Sequence, residues 1–164
     1  MGKIRFYRID VNYIKYLWGF DDKVQYNPMK LDVYTEKRPY IGIVLKIDDI
    51  DCFAPLEHPR PSHATMKNNP FILKIEKGRY GLIAFNNMIP VSNSQLITFD
   101  FKDEDERYRE LLKSQFIFCD NNKSEIFDRA KRTYDTVASG NNSFYNKVCC
   151  NFKLLEEKMK LYNV

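Results

Sequence analysis

A regular alternation of side chains in the first third of the chain constrains the fold more than any other feature. Between Ile41 and Ile47, every second position carries a branched aliphatic side chain. Because successive side chains of a strand point to opposite faces of the sheet, this pattern predicts a strand with one fully buried face. Shorter runs predict further strands over residues 3–9, 52–56, 71–76, 80–85, 88–91 and 95–101, the third and fourth of these forming a hairpin.

Helical signals dominate the second half of the chain. Asp10 is a predicted N-cap for an early short helix that ends near Gly19, and Asp103 is a predicted N-cap for a second helix. A third helix is predicted over 122–139, before a glycine, and a last one opens at Ser143. Strands early and helices late indicate an α+β domain with a strongly twisted, mainly antiparallel sheet, curled into a partial barrel and flanked by about four helices. The 164 residues fit a single domain over 1–164.

A proline-rich segment over 57–70 contains both histidines of the chain, His58 and His63, together with Arg60 and Lys67. Its three prolines preclude regular strand pairing, so a loop is predicted. Histidine transfers protons near neutral pH, and a guanidinium stabilises a phosphoryl group that gains charge, so this set suits RNA cleavage by the ribose 2′-hydroxyl. The alternative is an exposed loop with two incidental histidines.

The formal charge of +4 does not by itself call for a polyanionic partner. Basic residues nevertheless concentrate in the segments 23–38, 58–67 and 123–132, which form a basic face if they converge and scattered surface charge if they do not. Asn86 and Asn87 are interpreted as a turn in preference to a base-reading pair. The candidate RNA-binding residues are Lys23, Tyr26, Lys30, Arg38, Ser62, Lys67, Asn69 and Arg132.

Several classes of function are disfavoured by what the sequence contains. The four cysteines show no C-x-x-C spacing and lie among apolar residues, so they are predicted to be reduced core thiols, with vicinal Cys149 and Cys150 pointing apart on a helix. The two histidines fall short of a metal-binding set, and no metal or cofactor is expected. Without an apolar segment of membrane-spanning length or a signal peptide, a cytoplasmic protein is predicted, with no membrane or DNA partner.

Read in order, several segments resemble the ToxN/AbiQ family of type III toxin-antitoxin endoribonucleases, and within it the CptN branch. The most specific are F-N-N-M-I-P-V over 85–91 and K-V-C-C-N-F-K-L-L-E-E over 147–157. The others are Y-I-K-Y-L over 13–17, F-D-D-K-V over 20–24, Y-I-G-I-V-L over 40–45, A-P-L over 54–56 leading to His63, and M-K-N-N over 66–69.

The resemblance implies a sheet fold related to the Kid/MazF toxins and metal-independent RNA cleavage that leaves a 2′,3′-cyclic phosphate. It also implies a small pseudoknotted RNA partner, cut by the toxin from a repeat precursor and bound in a basic groove of a closed protein–RNA assembly. Cellular RNA is the substrate of the free toxin. Such systems act in plasmid maintenance or in abortive infection by phage.

The site loop departs from the family pattern A-P-L-[ST]-S-P-K-x-K-H. His58 stands at the serine position and Arg60 at the lysine position, while His63 matches the family histidine. The resemblance therefore suggests His58 as general base or acid, Arg60 as the group that stabilises the scissile phosphate, and His63 as a third catalytic residue. The alternatives are an RNA-binding protein without catalysis, a MazF-like toxin with a protein antitoxin, and a plain interaction domain.

Overall fold

The sheet is built from seven strands, all paired antiparallel, in a computed structural model that describes residues 3–26 and 40–163. The strands are β1 (Phe6–Ile9), β2 (Ile41–Ile47), β3 (Ile50–Glu57), β4 (Ile72–Lys74), β5 (Leu82–Ala84), β6 (Ile89–Pro90) and β7 (Leu96–Ile97). Their order is β4-β5-β3-β2-β1-β7, with β6 also pairing with β3. The predicted antiparallel sheet is confirmed, and its strand β3 leads directly into the proline-rich segment.

Six α-helices lie within the described ranges, against the four predicted. They are α1 (Val11–Trp18), α2 (Pro61–Thr65), α3 (Glu106–Asn121), α4 (Lys123–Ser139), α5 (Ser143–Val148) and α6 (Phe152–Tyr162). Helix α2 lies inside the predicted loop, where Pro61 occupies the first helical position and needs no N–H partner there. None of the helices over 3–26 and 40–163 is long and apolar enough to cross a membrane.

Local capping signals explain which helix ends were predicted correctly. The Asp10 carboxylate accepts a hydrogen bond from the Asn12 N–H at 2.9 Å, and Gly140 ends α4 with a φ of +71°. The prediction that Asp103 caps α3 was wrong, because Asp103 closes a short 3₁₀ turn with Asp100. Asp105 is the cap, and its carboxylate accepts from the Tyr108 N–H at 3.1 Å.

The last predicted helix is divided in two at residues 149–151. The Cys150 N–H donates to the carbonyl of Asn86 at 2.8 Å, so it is withdrawn from the helical ladder. Asn151 then caps α6 by accepting from the Leu154 N–H at 3.2 Å. Cys149 and Cys150 therefore lie in the break and not on a helix, although both are buried as predicted.

The predicted core is confirmed on the inner face of β2, whose four alternating aliphatic side chains are all buried. Helix α4 packs against β2 through a stripe that includes Ile126, Ala130 and Tyr134, and α6 packs against α1. The predicted strand over 95–101 is shorter than expected, since only Leu96 and Ile97 pair, with Ile9 and Arg8 of β1. The four cysteines are free and buried in this core.

Candidate active site

The loop that leaves the end of β3 places two polar side chains at the surface. His58 follows the last residue of β3, and Arg60 precedes α2; both are exposed. An exposed imidazole and an exposed guanidinium, two positions apart in the chain, provide a proton-transfer group and a cation for a phosphate oxygen.

His63 lies on the inner side of the same loop and is only 2% exposed. Its Nδ1 accepts a hydrogen bond from the Arg60 N–H at 3.4 Å, and its Nε2 lies 3.4 Å from a carboxylate oxygen of Glu57. With Nδ1 accepting, the Nε2 proton is directed at Glu57, so the imidazole links the last residue of β3 to the backbone of Arg60. This enclosed setting is typical of a side chain that positions a loop, and the catalytic role of His63 stays a prediction.

Two glycines of the turn between β4 and β5 lie against the backbone of this loop. Gly81 has a φ of +91°, and a Cβ at this position would lie 1.9 Å from the carbonyl oxygen of Glu57. Gly78 has a φ of +95°, and its Cβ would lie 2.8 Å from the carbonyl carbon of His63. The Lys74 ammonium donates to the carbonyl of Met66. Backbone therefore packs on backbone, which fixes the loop that carries His58 and Arg60.

Lys23 and Tyr26, in the segment after α1, are held by contacts with other parts of the chain. The side-chain amide of Asn87 donates to the Lys23 carbonyl at 2.8 Å, and the Tyr26 ring packs edge-on against Trp18 at 5.3 Å between centroids. Val24, Gln25, Pro55 and Asn87 line one narrow crevice, so this segment lies against the end of β3 that leads to His58. Lys30 and Arg38 lie outside the described residues.

The far end of the loop is fixed by an arginine of α4. Arg129 donates to the carbonyls of Asn69 and Ile72, at 3.2 Å and 2.6 Å. The Asn69 side-chain oxygen accepts from the Phe71 N–H at 3.1 Å. The third basic segment of the sequence therefore contacts residues 69–72, just beyond the end of the second.

The remaining predicted RNA-binding residues differ in their freedom to bind. Ser62 and Lys67 are exposed on the site loop. Arg132 is also exposed, but its guanidinium pairs with Asp128 of the same helix at 2.8 Å. Asn86 and Asn87 form a 3₁₀ turn with Phe85, which confirms the prediction of a turn.

Glu57, Asp21, Asn87 and the two glycines contribute to this site and were missed as site residues in the sequence. Asp21 and Asn87 belong to the F-D-D-K-V and F-N-N-M-I-P-V segments, so their place in a motif was the only available signal. Their partners are far apart in sequence, as Asn87 and Lys23 are, and no local pattern reveals such contacts.

Comparison with known families shows to which family this chain belongs. The sequence pattern of toxin ToxN of type III toxin-antitoxin systems matches residues 5–160. The chain belongs to the ToxN toxin family. The family prediction made from the sequence is confirmed, while the CptN branch stays a prediction.

Relatives of known structure and activity agree with this membership. The chain is 32% identical to the endoribonuclease ToxN of Pectobacterium atrosepticum, over 96% of this chain and 92% of that one. It superposes with a TM-score of 0.81 on a solved structure from a type III system with selective toxin inhibition by a non-coding RNA pseudoknot, at 28% identity and 99% coverage of both chains. AbiQ, a lactococcal anti-phage endoribonuclease, gives a TM-score of 0.82 at 26% identity, again over 99% of both chains. The prediction of an endoribonuclease toxin of a type III system is thereby confirmed.

Proposed function

We propose that this toxin cuts RNA by attack of a ribose 2′-hydroxyl on the adjacent phosphorus. The bond between the 2′-oxygen and phosphorus forms, and the bond between phosphorus and the 5′-oxygen breaks. One proton leaves the 2′-hydroxyl and one reaches the 5′-oxygen, so the products carry a 2′,3′-cyclic phosphate and a 5′-hydroxyl. This reaction requires proton transfer and stabilisation of charge on the phosphorane, and no metal or cofactor is part of the proposal.

The observation that carries this mechanism is the exposure of His58 and Arg60 on one loop whose backbone packs against Gly78 and Gly81. His58 transfers a proton as general base or general acid, and Arg60 neutralises the equatorial phosphorane oxygens. Glu57 and His63 hold the loop in shape from inside. An imidazole at the family's serine position supplies a proton-transfer group, and the guanidinium keeps the positive charge of the family's lysine.

The predicted RNA-binding residues contact the RNA on either side of the cleaved bond. Lys23 and Lys67 bind backbone phosphates, Tyr26 stacks on a base, and Ser62 donates a hydrogen bond. Lys30 and Arg38 are assigned the same role from their sequence positions. Asn69 and Arg132 are weaker candidates, because the Asn69 side-chain oxygen and the Arg132 guanidinium already bind within the protein.

The partner we propose is a small pseudoknotted RNA, cut by the toxin from a repeat precursor and then retained as its inhibitor. Solved relatives support this: one is inhibited by an RNA pseudoknot, and another belongs to an antiviral system regulated by a processed non-coding RNA. Protein and RNA would alternate in a closed assembly in the bacterial cytoplasm. Purification from the native operon should yield a discrete repeat-sized RNA with the protein, whereas an RNA-free and harmless protein would contradict the partner.

The mechanism predicts distinct effects for two substitutions in the loop. His58→Ala should lower the cleavage rate by about 10²- to 10⁴-fold, the usual contribution of a general acid or base. Arg60→Ala should lower it by about 10²- to 10³-fold, as the loss of one group that stabilises the transition state does. Single-turnover rates on a synthetic precursor RNA measure both, and an enzyme that opens cyclic phosphates identifies the product ends.

Control variants separate chemistry from folding in this experiment. Arg107→Ala removes an exposed guanidinium from α3 and should leave the rate unchanged. The two loop variants should melt at the wild-type temperature, since both side chains are exposed. Wild-type cleavage by His58→Ala would exclude His58 from the mechanism. RNA binding by the wild-type protein without any cleavage would favour a binding protein over an enzyme.

A further inference from the structure

Asp21, directly after α1, is a carboxylate that is almost fully buried, at 6% exposure. One of its oxygens accepts from the Lys23 N–H at 3.0 Å and lies 3.2 Å from the Lys23 ammonium. The other oxygen accepts from the Asn151 N–H at 2.7 Å. Burying a charge is costly unless it is paired and hydrogen-bonded, and these donors satisfy that requirement.

The donors of Asp21 come from two separate parts of the chain. Asn151 is the N-cap of α6, an eleven-residue helix whose amino-terminal end favours negative charge. The Asn87 amide donates to the Lys23 carbonyl from the turn after β5. Three of the motif segments, F-D-D-K-V, F-N-N-M-I-P-V and K-V-C-C-N-F, therefore meet around Lys23.

Lys23 is held at both its backbone and its side chain, yet its side chain keeps 29% exposure. A free lysine on a loop samples many rotamers and loses that freedom when it binds a phosphate. Because the Lys23 ammonium is already placed beside Asp21, it loses less conformational freedom on binding, so its contact with RNA is stronger.

We propose that Asp21 is a positioning residue that presents Lys23 to an RNA phosphate and ties this contact to the start of α6. The proposal rests on the proposed function, in which Lys23 binds RNA. The change in RNA affinity that it predicts is opposite to the change expected from electrostatic repulsion alone. A carboxylate beside an RNA site repels phosphate, so neutralising it should tighten binding if charge alone mattered. If Asp21 positions Lys23, neutralising it should weaken binding.

The test uses a labelled 2′-O-methyl oligonucleotide of mixed sequence, which binds but lacks the 2′-hydroxyl required for cleavage. Asp21→Asn and Lys23→Gln should each weaken its affinity roughly tenfold, the scale of one lost hydrogen bond to a charged group. Each should also make the dependence of log affinity on log salt shallower by about 0.7, the value for one phosphate contact on a single strand. The double variant should bind no more weakly than Lys23→Gln alone.

Asp22→Asn is the matched control, because it removes the same charge from the exposed neighbouring position. It should bind at least as tightly as the wild-type protein. Unchanged or tighter binding by Asp21→Asn would overturn the proposal. The proposal would also be overturned if the losses of affinity added in the double variant and the melting temperature fell, since these results mark a purely structural residue.

If Asp21→Asn does not fold, Asn87→Ala decides, because it removes the hydrogen bond to the Lys23 carbonyl and leaves Asp21 in place. A weaker affinity for the oligonucleotide supports the positioning of Lys23, and an unchanged affinity overturns it. Wild-type protein that neither binds nor cuts RNA would defeat the proposed function and this inference together. Wild-type protein that does both, beside an equally active Asp21→Asn, would defeat only the inference.

Discussion

His58 and His63 have the same side chain and lie five positions apart, but their surroundings differ. His58 is exposed at the mouth of the loop, whereas His63 is enclosed and joined to the Arg60 N–H and the Glu57 carboxylate. An exposed imidazole is accessible to a bound RNA, so the proposed mechanism gives the proton transfer to His58. The residue type in the sequence indicated chemistry for both, and burial distinguishes them.

This difference predicts opposite patterns for the two alanine variants. His63→Ala should destabilise the protein by about 2–4 kcal/mol, since it leaves a cavity and removes both internal contacts. Cleavage should fall with it because the loop loses its shape. Urea unfolding and cleavage rates, measured side by side, check this. A His63→Ala protein of normal stability that has lost only its catalytic rate would restore the catalytic role to His63.

At the scale of elements, the turn between β4 and β5 acts as the base on which the site loop rests. Its two glycines allow the backbone of the turn to touch the backbone of the loop, an approach that any side chain would block. The loop is therefore held by main-chain contact as well as by its own hydrogen bonds, which suits a site whose groups must keep their positions.

Gly81→Ala should consequently cost more than the strain of its positive φ alone. The added Cβ collides with the Glu57 carbonyl, so the loss of stability should exceed about 2 kcal/mol and the cleavage rate should drop. Gly140→Ala is the matched control: its φ of +71° is also positive, but nothing lies within 4 Å of the new atom. It should cost about 1 kcal/mol and leave cleavage unchanged. Equal effects of the two substitutions would exclude the proposed support.

How far the sequence predicts these elements depends on how local each signal is. The alternation over Ile41–Ile47, the Asp10 cap and the Gly140 cap all act within a few residues, and each was predicted correctly. The break at Cys150 arises because Asn86, far away in the sequence, takes its N–H. The contacts of Asn87 with Lys23 and of Asn151 with Asp21 also join distant residues, and the backbone of His63 lies against that of Gly78. The sequence therefore indicates the chemistry of the loop, and only the fold separates its exposed groups from its structural ones.

At the scale of the whole molecule, one core joins the sheet to its helices, and the four cysteines lie inside it. Burial raises the pKa of the Cys52 and Cys119 thiols to about 12 and that of Cys149 to about 11, and it raises the pKa of Cys150 as well. These thiols stay protonated at neutral pH and are poor nucleophiles. We propose that residues 1–164 unfold as one domain.

The raised pKa values predict alkaline instability. Unfolded thiols ionise at a pKa of about 8.5, below the folded values, so their contribution to stability is complete under that pH and is lost as the pH rises toward 11 or 12. The urea midpoint should fall steadily above about pH 9. At pH 8, a thiol reagent should react slowly with the native protein. After unfolding it should react with four thiols, and all four should become reactive in a single unfolding transition. Rapid labelling of the native protein would contradict the burial.

The contact of Arg129 with the Ile72 carbonyl also affects how this protein behaves at high concentration. Strand β4 ends the order of the sheet among the described strands, and an outermost strand offers unpaired carbonyls to other chains. The guanidinium already occupies one of these acceptors, so an incoming strand must first displace it. Arg129→Ala should therefore aggregate at lower protein concentration than Arg132→Ala, as light scattering would measure. Equal light scattering by the two variants would show that the shortness of β4 is enough to prevent strand pairing between molecules. On this prediction, the side chain that fixes the end of the site loop also protects the edge of the sheet from strand pairing between molecules.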